Sequence, residues 1–139
     1  MAYITVDDLD ISPAVLQQLT DDAASGYPDE SKIDAAIANA QADVDGYCGK
    51  RFTVPFATPP QLVITLTIRL AKYNLYSRRD EIPPSVDALH KDALKILADI
   101  SLGKATLGIE PKPAGNPEEV GGVISGPERI FTRDKMGGF

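Results

Sequence analysis

From Ile33 to Cys48 the apolar residues Ile33, Ala36, Ile37, Ala40, Val44, Tyr47 and Cys48 stand at offsets of 0, 3, 4, 7, 11, 14 and 15. That is the 3.6-residue period of a helix with one buried face, and no other stretch constrains the fold as much. The helix, roughly 30 Å long at ~1.5 Å per residue, needs partners to cover its stripe. Asp29 stands where an N-cap belongs and Gly49 where a C′ stop belongs, which predicts a helix over residues 30–49. Ala35, Ala38 and Ala42 add helix propensity.

The rest of the first hundred residues supplies the partners. Thr5 followed by Asp7 and Asp8 predicts a short capped helix. Ser12-Pro13 opens a second, with Val15, Leu16 and Leu19 as its stripe. Residues 20–28 form a loop and residues 50–60 a connector, where Pro55, Pro59 and Pro60 forbid a helix. Phe52, Val54 and Phe56 alternate with Thr53 and Pro55, so the connector is extended and lies against the core.

Residues 61–79 read two ways. Ile64, Leu66, Ile68 and Leu70 alternate like a strand, whereas Leu62, Val63, Leu66, Leu70 and Tyr73 share a helical face. No adjacent strand with a hairpin turn is available, so helix is the expectation. Apolar on more than one face, it is either the central helix or part of an interface. Ser85 is the expected cap of a last helix reaching Leu102, with Val86, Leu89, Ala93, Ile96, Leu97 and Ile100 as its stripe and Gly103 as its stop. Leu107 is the one anchor of the turn that follows.

Beyond Ile109 no period survives. Gly103 to Phe139 holds 8 of the 11 glycines and 4 of the 11 prolines, a composition that builds no core of its own. The reading is all-α: a bundle of about four helices over residues 1–108, and an extended Gly/Pro-rich arm over 109–139. Fully extended, the arm reaches ~100 Å, several times the ~13 Å radius of gyration of a 100-residue body. Arg129, Ile130, Phe131 and Arg133 alternate basic and apolar character. With Phe139 as a further apolar anchor, they suit strand addition or an embrace of a neighbouring acidic surface.

Charge narrows the function. The net charge is −6 and the isoelectric point about 4.7, which argues against a general nucleic-acid binder held by phosphate contacts. Residues 1–50 carry ten acids against Lys32 and Lys50, while residues 51–102 carry seven bases and five acids. Such a chain either presents a solvated acidic face or attracts copies of itself head to tail. No apolar run spans a bilayer, no secretory signal is expected, and one cysteine staples nothing. An intracellular, reducing setting is expected.

Reactive groups are sparse. Cys48 ends an apolar stripe, where a buried structural thiol is the default, and His90 stands at a polar-facing position of its helix. Asp21 to Lys32 faintly resembles a calcium loop, but Ala23 and Lys32 occupy two ligand positions. Arg78-Arg79 is followed at once by Asp80-Glu81 and reads as a solvated helix end. No phosphate loop, dinucleotide fingerprint or nucleophile elbow occurs. The chain is therefore expected to be no enzyme, with no metal and no cofactor.

Three stretches together carry a family resemblance: Tyr3-Ile-Thr-Val-Asp-Asp-Leu9; Ile33 through Ala40-Gln-Ala-Asp-Val-Asp-Gly-Tyr47 with Arg51-Phe-Thr-Val-Pro55; and Arg129-Ile-Phe-Thr-Arg-Asp-Lys-Met-Gly-Gly-Phe139. The chain resembles, over its whole length, the Mu-like phage neck proteins. The resemblance implies a head–tail connector or adaptor in the virion neck, assembled in the host cytoplasm. Such proteins form a ring, commonly of about twelve copies, beneath the portal protein. They extend the DNA channel and dock the next neck or tail-completion protein. No membrane is involved, and DNA passes without specific binding. The family lends no catalytic residues. Within that reading Arg129, Ile130, Phe131, Arg133 and Phe139 are candidates to contact a neighbouring subunit or the portal, and Asp7, Asp8, Asp10, Asp43 and Asp45 to face the lumen or a neighbouring subunit, since acids repel phosphate. The alternative is a small acidic phage-encoded regulator or inhibitor that binds a host protein.

Overall fold

The computed structural model describes residues 2–111, and among them only helices, turns and bends form. Four α-helices run in the order α1 (Pro13–Thr20), α2 (Glu30–Cys48), α3 (Gln61–Tyr76) and α4 (Pro84–Ser101). Short 3₁₀ turns cover Val6–Leu9 and Ser77–Arg79. Helices α2, α3 and α4 each contact the other two, while α1 lies on α2 and α3. The arm residues Arg129, Ile130, Phe131, Arg133 and Phe139 lie outside the described residues.

Residues 61–76 are helical, and the pattern's ambiguity has a simple origin. Val63, Leu66, Thr67, Leu70, Ala71 and Leu75 form the buried face, while Leu62, Ile64 and Ile68 are half-buried on its flanks. A helix covered on several sides reads locally like a strand. The core joins that face to Ile33, Ala36, Ile37, Ala40, Val44 and Cys48 of α2 and to Ala93, Leu97 and Ile100 of α4. Each large side chain so buried is worth roughly 1.5–3 kcal/mol relative to exposure. Two threonines enter the apolar interior. Both solve their hydroxyl's need by donating to the carbonyl one turn back, Thr20 to Leu16 at 2.7 Å and Thr67 to Val63 at 2.7 Å.

The caps follow sequence chemistry in most places. Asp29 accepts from the Ser31 N–H at 3.0 Å, and Pro13 occupies the first turn of α1 behind the Ser12 cap. Gly103 takes φ +82. Its N–H donates to Ile100 at 3.1 Å and that of Lys104 to Asp99 at 2.8 Å, the paired bonds of a Schellman stop.

Several expectations need correction. Helix α4 begins at Pro84 behind an N-cap at Pro83, so Ser85 lies inside the first turn and caps nothing. A proline at the first helical position gives up an N–H that would have lacked a partner anyway. Residues 77–79 tighten into a 3₁₀ turn that ends at Asp80 with φ 57. Gly49 stays in the right-handed region at φ −62. What favours glycine there is space, since a Cβ would come 3.2 Å from Val54 Cγ2 and 2.8 Å from the Asp45 carbonyl. Tyr47 and Leu89, both assigned to buried stripes, are 36% and 40% exposed.

Candidate functional site

The N-terminal segment is tied to α2 by one side chain. Tyr3 is buried, its ring tilted against Phe56 with centroids 6.0 Å apart. Its hydroxyl donates to Asp45 Oδ1 at 2.5 Å and accepts from the Phe56 N–H at 2.9 Å. Its own N–H donates to Gln41 Oε1 at 2.9 Å. Burial, helped by the Asp45 bond, pushes the Tyr3 phenol up to about 12. Asp45 is thus engaged within the chain, and the exposed Asp8 accepts locally from the Thr5 N–H at 2.8 Å. Asp7, Asp10 and Asp43 are exposed, and among the described residues none of them pairs with a cation.

The loop between α1 and α2 holds a second cluster. Asp22 accepts from Arg78 Nη2 at 2.5 Å and Arg79 Nη2 at 2.8 Å, and Lys32 Nζ lies 3.0 Å away. The arginines also donate Nε–H to the last carbonyls of α1, Arg78 to Leu19 at 3.0 Å and Arg79 to Gln18 at 2.8 Å. The Arg pair is therefore a clasp that caps α1 and binds it to the end of α3, where sequence suggested a solvated end. The cations, Lys32 and Arg78 first, hold the Asp22 carboxyl well below the usual range. Asp21 accepts from the N–H groups of Ser25 and Gly26 at 2.9 and 2.8 Å and from the Ser25 hydroxyl. The loop's own donors take up the carboxylate that a calcium-loop reading would have used.

Cys48 and His90 are not brought together. Cys48 is fully buried, and burial pushes its thiol up to about 11. His90 faces inward instead of toward solvent. Its ring stacks on Tyr73 at 3.6 Å with planes 10° apart, and Nδ1 is buried without a partner. Burial lowers its pKa against the pull of Asp87 and Asp43. Among the described residues no group of three or more His, Cys, Asp or Glu side chains could hold a metal, and no helix is long and apolar enough to cross a membrane.

The described residues include two concave surfaces with charged rims. A groove of about 730 Å³ runs between α2 and residues 2–6, floored by Ile4, Ile33, Ile37, Ala38 and Ala42 and rimmed by Glu30, Asp34 and Asp45. A smaller one of about 260 Å³ lies between α3 and α4, with Ile68, Val86 and Leu89 beside Arg69 and Lys72. Sequence reading had not singled out Arg69 or Lys72. The available signal was the spacing of Thr65, Ile68, Arg69 and Lys72, a second helical stripe on α3 opposite its buried one.

The chain belongs to the Bacteriophage Mu Gp36 family, whose model matches residues 3–125. It is 30% identical over 142 residues to gene product J of Escherichia phage Mu, covering 99% of both chains. It is 24% identical over 111 residues to Mu-like prophage FluMu protein gp36 of Haemophilus influenzae, covering 80% of this chain and 77% of the relative.

Proposed function

We propose that this phage protein is a head–tail connector: a ring subunit that sits beneath the portal, prolongs the DNA channel and docks the next neck or tail component. The observation that carries this reading is the unpaired acidic exterior of the N-terminal half. Asp7, Asp10, Asp34 and Asp43 are exposed carboxylates with no cation partner among the described residues. A wall of such groups repels phosphate and lets DNA slide past without sticking. Membership of a phage Mu family and the neck-protein resemblance over the whole chain support the same role. The reading assigns no catalysis.

The test is assembly on purified portal-bearing capsids that lack the neck, followed by mass measurement and imaging. The full chain is expected to add to the portal as a ring. Reversing Asp7, Asp10 and Asp43 to lysine is expected to block ring formation or slow DNA ejection. Removing residues 125–139 is expected to abolish attachment with helix content nearly unchanged. A full chain that shows no portal-dependent assembly overturns the reading and favours a regulator that binds a host protein.

A further inference from the structure

The two grooves differ in sign and share no residue. On α3, Thr65, Ile68, Arg69 and Lys72 lie across the helix axis from Leu66, Leu70 and Asn74, whose amide donates to the α2 carbonyl of Ala36 at 3.2 Å. The cationic face therefore looks away from α2, and the acidic groove lies beside α2. One subunit can use both faces at once.

Both faces also carry apolar surface beside their charges. The floor of the acidic groove is lowered by Ala38 and Ala42, both exposed. Small residues let a second helix approach closely. The cationic face is itself a smaller groove, and Leu89 of α4 on its lining is 40% exposed although it is a large apolar side chain. Arg69 and Lys72 line the same groove, and neither pairs with a carboxylate among the described residues. Glu30 and Asp34, on the rim of the groove, pair with no cation there either.

We propose that the occupant of the acidic α2 groove is a second copy of this chain, whose α3–α4 face lays the exposed Leu89 on the apolar floor and sets Arg69 and Lys72 against Glu30 and Asp34. The contact is heterologous: it joins two different faces and leaves one of each free on every pair. Such contacts propagate head to tail and close into a ring when the rotation between copies permits. The inference rests on the connector reading and names the surfaces by which its subunits meet.

A charge-swap complementation tests it, using the full-length chain. Arg69→Glu/Lys72→Glu and Glu30→Lys/Asp34→Lys each alter only side chains at the surface, and circular dichroism checks that both variants stay folded. Self-association is read by sedimentation over a concentration series at low salt and by assembly on portal-bearing capsids. The wild type is expected to associate, less so as salt is raised. Each variant alone is expected to lose association, falling to the 14.9 kDa monomer. An equimolar mixture is expected to regain it, because swapped faces then meet swapped and native faces meet native. A wild type that assembles while either variant assembles equally well, or while the mixture stays monomeric, overturns this interface and leaves the connector reading standing. A wild type that neither associates nor assembles on the portal overturns both. Loss of association on Arg129→Glu/Arg133→Glu, with Arg69→Glu/Lys72→Glu unaffected, overturns it in favour of the C-terminal segment as occupant.

Discussion

Tyr3→Phe removes one oxygen atom and tests what holds the N-terminal segment on the bundle. The phenyl ring keeps its contact with Phe56, so little packing is lost. What goes is the bridge from the hydroxyl to Asp45 at 2.5 Å and to the Phe56 N–H at 2.9 Å. Asp45 is only half-buried and regains water. The Phe56 N–H sits in a buried bond and is left without an acceptor, at a cost of roughly 1–3 kcal/mol. The unsatisfied N–H thus predicts a destabilisation of about 2 kcal/mol at neutral pH, or about 8 °C in Tm for a domain of this size. The phenol's acid–base behaviour adds a separate, alkaline effect. A rise from 10.0 to about 12 means the fold favours the protonated phenol by roughly 2–3 kcal/mol. The sign with pH is set as well. Because the folded pKa is raised, the contribution is whole below pH 10 and is lost as pH rises through about 12. Urea unfolding of wild type and variant at neutral pH, and again across that alkaline window, measures both effects. A loss below about 0.5 kcal/mol, or a variant with the same alkaline slope as wild type, refutes the reasoning.

Other residues give independent tests. His90→Phe keeps the stack on Tyr73 and removes the orphaned Nδ1, so stability at neutral pH is expected to hold or rise by up to about 1 kcal/mol. The lowered His90 pKa makes its contribution whole above pH 6.5 and lost as pH falls through the folded value, and melts over a pH series should show that slope vanish in the variant. Gly103→Ala forces a Cβ onto φ +82 and should cost about 1–2 kcal/mol by urea midpoint; the Arg51 head group 2.7 Å away can move. Asp22→Asn should flatten the acid limb of stability, because a depressed carboxyl contributes above its unfolded value near 3.8 and loses that contribution as pH falls. Cys48 should resist a thiol reagent in the native protein and react fully once unfolded, with its thiol raised to about 11 and its side chain buried.

The helices of this chain were legible because their signals are local. Periodicity in α2, the Asp29 cap, Pro13 and the Gly103 stop act within a few residues, and the structure keeps each of them. The misassignments share a cause. Tyr47 and Leu89 fit the period of their helices, but a stripe of given width is buried only where a neighbour covers it, and among the described residues these two stand at its exposed edge. His90 fits a polar position until Tyr73 is brought beneath it.

The candidate surfaces divide the same way. Sequence alone determined the helical body, the acidic N-terminal half and the two-faced character of α3, since composition and period suffice for those. Tertiary structure decided which charges are free. Asp45 is drawn in by Tyr3 from 42 residues away, and Arg78 and Arg79 are spent on α1 and Asp22. Arg69 and Lys72 are left on an open face. A charge's availability depends on what lies within a few ångströms of it, and that distance is set by packing between elements, not by order along the chain.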